Sequence, residues 1–176
     1  MLLIMRGGLA VLLVVAAIGA AAADEFKAQL NGFNEIGALA TPTGAILTDG
    51  TGTFALKFDK NSATYSLTYS GLTSNVTQAH IHFGKVHVAG GIFVFLCSNL
   101  GNGPVGTPAC PTSDGTVTGT ITGGNILAVP SQHIPAGNFD VLLSALGSNT
   151  AYANVHTVNF PAGEIRGQVK HANNED

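Results

Sequence analysis

The chain has 176 residues, a net charge of −3, only 10% charged side chains and no basic run, so a nucleic-acid partner has no electrostatic footing. Its 45% hydrophobic content is inflated by the opening segment. The remainder, about 150 residues, is the size of one domain with one core, and no internal repeat, linker or second domain interrupts it.

In chain order, Met1 to Gly8 carries one positive charge at Arg6, Leu9 to Ile18 is an unbroken apolar run, and Gly19 to Ala23 is a string of small residues. These are the three regions of a secretory signal peptide, predicted at 1–23 with the cut between Ala23 and Asp24. The apolar run is shorter than the ~20 residues a bilayer core requires, and no basic flank follows it. No membrane span is therefore expected after cleavage. The expected location is secreted, periplasmic or extracellular, with one domain at 24–170 and a polar tail at 171–176.

The mature chain lacks helical periodicity. Short alternating runs of Thr, Val, Ile, Phe and Tyr, separated by Gly, Asn, Asp and Pro, predict antiparallel strands. These are Phe26–Leu30, Gly52–Asp59, Ala63–Ser70, Val76–Phe83, Ile92–Cys97, Gly115–Thr122, Ala151–His156 and Glu164–Lys170. The second and third form a hairpin through Lys60-Asn61-Ser62, where Asn supplies turn chemistry. Such a set predicts an all-β fold, a single antiparallel Greek-key-like β-sandwich, with a barrel as the alternative. One segment departs from it. Ala136–Leu146 places Phe139, Leu142, Leu143 and Leu146 at helical spacing, a short helix that Ser148-Asn149 stops.

Cys97 and Cys110, the only two cysteines, bracket SNLGNGPVGTPA. In an oxidising compartment they most simply form a disulfide, worth roughly 2 to 3 kcal/mol by closing that loop. A metal–thiolate pair is the alternative. Asn75-Val76-Thr77 is a glycosylation sequon in a eukaryotic secretory route.

The segment AHIHFGKVH holds three of the six histidines. On a strand His80 and His82 project from one face while Ile81 faces the opposite layer. Two imidazoles suit Zn²⁺ or Cu²⁺, but a third ligand must come from elsewhere. His87, beyond the Gly84-Lys85 bend, and His156, in YANVHT, are the two candidates. The alternative is structural: imidazoles hydrogen-bonded to carbonyls or to a buried carboxylate such as Glu164. In GEIRGQV, alternation places Glu164, Arg166 and Gln168 on one face, where Glu164 and Arg166 either form an ion pair or support the histidines. His133, in a proline-flanked loop, and His171, in the tail, add little.

AHIHFG, GGIFVFLC, the Cys110-Pro111 loop, GTVTGTIT and YANVHT…FPAGEIRGQV, in that order, resemble the CHRD (chordin-type) domain from about Phe26 to Val169. The resemblance implies a secreted β-sandwich, found singly in microbial proteins and as repeats in chordin, with no settled catalytic activity. His80, His82, Asn154, His156, Glu164, Arg166 and Gly167 fall on its signature motifs; His87 does not. The opening NGFNEIGALATPTG departs from the family's proline-bearing turn over Glu35–Thr43. A fold-level likeness to copper-zinc superoxide dismutases also exists, without that enzyme's zinc loop.

Three expectations follow from these residues. The first is a binding module holding copper or zinc through His80, His82 and His156, with His87 as a possible additional ligand and Glu164, Arg166 and Asn154 behind them. The second is a module whose partner is an extracellular protein or matrix and whose polar residues are structural. The third and least favoured is a dismutase-like redox enzyme; a non-catalytic role is expected.

Overall fold

The computed structural model describes residues 24–37 and 44–173. The signal-peptide expectation at 1–23, most of the Glu35–Thr43 loop and the end of the tail lie outside the described residues.

Alternation of apolar and polar residues produces strands where it was expected. They are β1 (Glu25–Asn31), β2 (Thr51–Asp59), β3 (Ser62–Ser70), β4 (Val76–Phe83), β5 (Gly91–Ser98), β6 (Gly115–Ile121) and β7 (Ala151–Thr157). In β2 every second residue is buried, so Phe54, Leu56 and Phe58 face the core while Thr53, Ala55 and Lys57 face solvent. β2 and β3 pair along their whole length, from Thr51↔Ser70 to Asp59↔Ser62. The residue that turns left-handed at their tip is Lys60, with φ 42°, rather than Asn61.

The strand predicted over Glu164–Lys170 is divided. β8 (Ile165–Gln168) pairs with β7, and β9 (Lys170–His171) crosses to pair with β1. His171, assigned from sequence to the tail, is thus inside the sheet, its ring against Phe26 and its Nε2 3.5 Å from Asp24 Oδ1.

All strands join one antiparallel sheet in the order β5-β4-β7-β8-β1-β2-β3-β6. β8 meets β1 through a single residue pair, Asn31↔Arg166, and there the sheet folds into two halves that face each other. Gly167 permits that fold, because a Cβ at this position would lie 2.3 Å from the Gln29 carbonyl oxygen. The free ends, β5 and β6, are drawn together on the opposite side. Cys97 in β5 is disulfide-bonded to Cys110 (S–S 2.09 Å), and the Tyr65 hydroxyl of β3 donates to the Leu96 carbonyl of β5. The result is an all-β sandwich closed almost into a barrel, with one α-helix among the described residues, α1 (Asp140–Gly147), across one end. Leu142, Ala145 and Leu146 bury the helix, whereas Leu143, expected on the apolar face, is exposed. Asn149, left-handed at φ 57°, ends that segment.

Candidate metal centre

β4 lies between β5 and β7, and its parity separates two sets of side chains. Ala79 and Ile81 enter the core; His80 and His82 point to the outer face. β7 divides in the same way, with Ala151, Ala153 and Val155 inward and Tyr152, Asn154 and His156 outward. The register sets His80 opposite Asn154, His82 opposite Tyr152 and Gln78 opposite His156. An outer face ordinarily meets water, yet every residue of β7 is buried. Loops account for this: the β4–β5 connection bonds to His82 through Gly90, and the β7–β8 connection bonds to His156 through Pro161. Relative exposures are 0% for His80, 7% for His82 and 5% for His156, so the three imidazoles form a polar cluster sealed beneath loops.

Their protons can be placed by elimination. A carbonyl only accepts, so His82 Nδ1 donates to Gly90 O (3.0 Å) and His156 Nδ1 donates to Pro161 O (3.0 Å). In a neutral ring this leaves Nε2 of each as a bare lone pair. His80 Nδ1, 3.1 Å from His156 Nε2, must then be the donor of that pair, which leaves His80 Nε2 bare as well. His80 Nε2 and His82 Nε2 are buried without a hydrogen-bond partner. Two such nitrogens side by side are unusual, because buried polar atoms nearly always find partners. One nitrogen from each of the three rings lies within 4.8 Å of the others. Three points so spaced share a centre ~2.8 Å or less from each, against metal–nitrogen bonds of ~2.0 to 2.1 Å, so sub-ångström ring movements bring them to coordination distance.

The electrostatics favour neutral rings. Burial, followed by repulsion from His156 and His82, holds His80 far below the ordinary imidazole range. Burial pushes His82 down to about 3, with further contributions from His156 and Arg166, against a weaker opposing effect of the Gly90 hydrogen bond. His156 is pushed down to about 4, again by burial, with the Pro161 hydrogen bond opposing. A neutral imidazole is the form that binds a cation.

Around the rings stands a fixed shell. Tyr152 stacks on His82, with centroids 4.7 Å apart and planes 6° from parallel, and the Arg166 guanidinium carbon lies over the Tyr152 ring, 3.4 Å from its centre. Arg166 Nη2 donates to the carbonyls of Lys85 (3.1 Å) and Val88 (3.0 Å), which pins the loop that covers His82. Asn154 Nδ2 donates to Glu35 Oε2 and to Ile165 O, and Glu35 Oε1 accepts from the backbone N–H groups of Ile36 and Gly37. Phe95 closes the cluster edge-on, 4.4 Å from His80.

Some residues expected here are elsewhere. Glu164 precedes β8 and does not share the face of Arg166; its carboxylate accepts from Thr48 Oγ1, Thr73 N, Thr73 Oγ1 and Thr157 Oγ1 at 2.7 to 2.9 Å. It knits loops together, and its hydrogen bonds go to threonines and a backbone N–H, not to the imidazoles. His87 is exposed in the covering loop, left-handed at φ 59°, and is outside the cluster. His133 ends a one-turn helix at φ 57°. Of the residues that sequence did not single out, Tyr152 was readable, since it shares the parity of Asn154 and His156 in YANVHT. Glu35 was not, because its partner Asn154 is 119 positions away.

Comparison with known proteins gives one family. The model described as "CHRD domain" matches residues 26–169. No curated protein and no solved structure matches the chain.

Proposed function

The chain belongs to the CHRD domain family, and from that membership and its buried histidines we propose an exported binding module that holds one copper or zinc ion through His80, His82 and His156. The observation that carries this reading is the pair of buried, unpartnered Nε2 atoms on His80 and His82 beside a third imidazole. Leaving a buried acceptor unpaired costs about 1 to 3 kcal/mol, a cost that an ion at the shared centre removes. Asn154, Tyr152 and Arg166 would hold the rings and their covering loop in place. Export is supported by the leader-like opening and by the disulfide. No described helix is long and apolar enough to cross a membrane.

The role is binding and not turnover. A catalytic metal needs an open coordination position, and rings no more than 7% exposed favour a closed site over dismutase chemistry. A second reading, an extracellular protein or matrix partner, draws on two apolar residues of the disulfide-closed loop, Val105, fully exposed, and Leu100, about half exposed.

Metal analysis of the exported protein, purified without a histidine tag, tests the proposal. About one equivalent of copper or zinc, lost in His82→Ala, is the expected result. Protein that stays metal-free when offered either ion would leave the histidines with a structural role.

A further inference from the structure

We infer that the centre selects monovalent copper over Zn²⁺ and Cu²⁺, an inference that rests on the metal-binding reading above. Three features of the cluster carry it: the number of donors, their charge, and the state of everything else within reach.

Among the described residues, the group that converges on one point is three imidazoles and nothing more. Structural zinc takes four ligands, and Cu²⁺ prefers a tetragonal set of nitrogen and oxygen donors. A fourth donor is hard to find here. Glu35 already accepts from Ile36 N, Gly37 N and Asn154 Nδ2. Glu164 holds four donors from Thr48, Thr73 and Thr157. The Tyr152 hydroxyl accepts from Gly90 N at 3.1 Å. Solvent is no substitute, since Nε2 of His80 and of His82 are both buried. A monovalent d¹⁰ ion has no need of the missing ligand, because two or three nitrogens in a linear to trigonal arrangement complete its shell.

Charge points the same way. All three donors are neutral, and the groups behind His82 and His156 are carbonyls of Gly90 and Pro161, not carboxylates. A divalent ion would bring two uncompensated charges into a sealed site, and the desolvation penalty grows as the square of the charge, about fourfold from one to two. Arg166, packed on the Tyr152 ring that stacks on His82, adds positive charge on that side, which the Glu35 carboxylate held by Asn154 offsets in part.

The test compares affinities in the wild-type chain. Purified untagged protein, stripped of metal, is titrated anaerobically with Cu(I) against a chromophoric Cu(I) chelator, and separately with Zn²⁺ and Cu²⁺ against chelators of known affinity. Ascorbate is the reductant, because a thiol would open Cys97–Cys110 and create new copper ligands; Cys97→Ser/Cys110→Ser serves as the control for that route. The expected result is one Cu(I) per chain, bound at least about 100-fold more tightly than Zn²⁺ or Cu²⁺. Stoichiometric Cu(I) binding should vanish in His82→Gln and persist in the cysteine variant. Equal or tighter binding of Zn²⁺ or Cu²⁺ at the same histidines overturns the selectivity and leaves the metal centre standing. Failure to bind any of the three ions overturns both. His80 packs against Phe95, so a His80 variant also disturbs packing, and the wild-type selectivity is decisive without it.

Discussion

Arg166 is buried, yet it forms no ion pair with Glu164; its Nη2 holds two loop carbonyls and its plane covers Tyr152. Hydrogen bonds from a charged group are worth about 1.5 to 3 kcal/mol each, so Arg166→Ala should free residues 84–90 before it unfolds the sheet. Hydrogen exchange should then accelerate at least ~10-fold in that loop and little in β2 and β3. Gly163 is a second sensitive point. It sits at φ +128°, and a Cβ there would lie 2.3 Å from Glu35 Oε2 and 2.7 Å from Asn154 Nδ2. Gly163→Ala should therefore lower stability by ~2 kcal/mol or more, measured as a lower urea midpoint. At this scale the sequence was informative wherever strand parity applied. His80, His82 and His156 meet as alternation requires, with Tyr152 and Asn154 beside them. Parity failed for Glu164, because that residue lies at a turn ahead of β8, and for His87, whose left-handed backbone belongs to a loop. Glu35 enters from a segment with no periodicity to read.

At the scale of elements, the two-sided burial of β7 separates this fold from a simple alternating sandwich. β2 and β3 keep one polar, solvated face, and their positions were readable almost residue by residue. β7 has no such face, since loops cover it, and loop placement leaves no periodic signature. The same limit applies to the division of the last predicted strand, which follows from the fold of the sheet between β8 and β1. The disulfide lies on the other face of β5 from the histidines: Cys97 pairs with Ala79, beside His80, and points with it into the core, where it closes the edge between β5 and β6. Its removal in Cys97→Ser/Cys110→Ser should cost about 2 to 4 kcal/mol, read by urea denaturation, while metal affinity stays unchanged. A parallel fall in affinity would mean that edge closure and the metal centre are one cooperative unit.

For the whole molecule, the buried imidazoles link stability to pH. Each has a folded pKa below the ~6.5 of an unfolded chain, down to about 3 for His82 and about 4 for His156, with His80 lower still. The unfolded chain therefore binds more protons below that value. The contribution is complete above pH ~6.5 and is lost as pH falls toward 4, at up to ~1.4 kcal/mol per pH unit for each imidazole. Glu35 and Arg166, the charged groups set against the cluster, offset each other in part. Metal-free protein should thus show a urea midpoint that drops steeply between pH 6.5 and 4, and a triple His→Gln variant that still folds should lose most of that slope. Bound metal should raise the melting temperature at neutral pH, with the gain growing with the ratio of free ion to Kd.

The most direct measurement is long-range ¹H–¹⁵N correlation of the imidazole nitrogens, before and after one equivalent of Cu(I) or Zn²⁺. The account predicts neutral rings with Nδ1–H on His82 and His156, and shifts confined to the ring nitrogens of His80, His82 and His156 that saturate together at one ion per chain. Shifts at His87, His133 or His171 instead, or no change in the buried three, would contradict it.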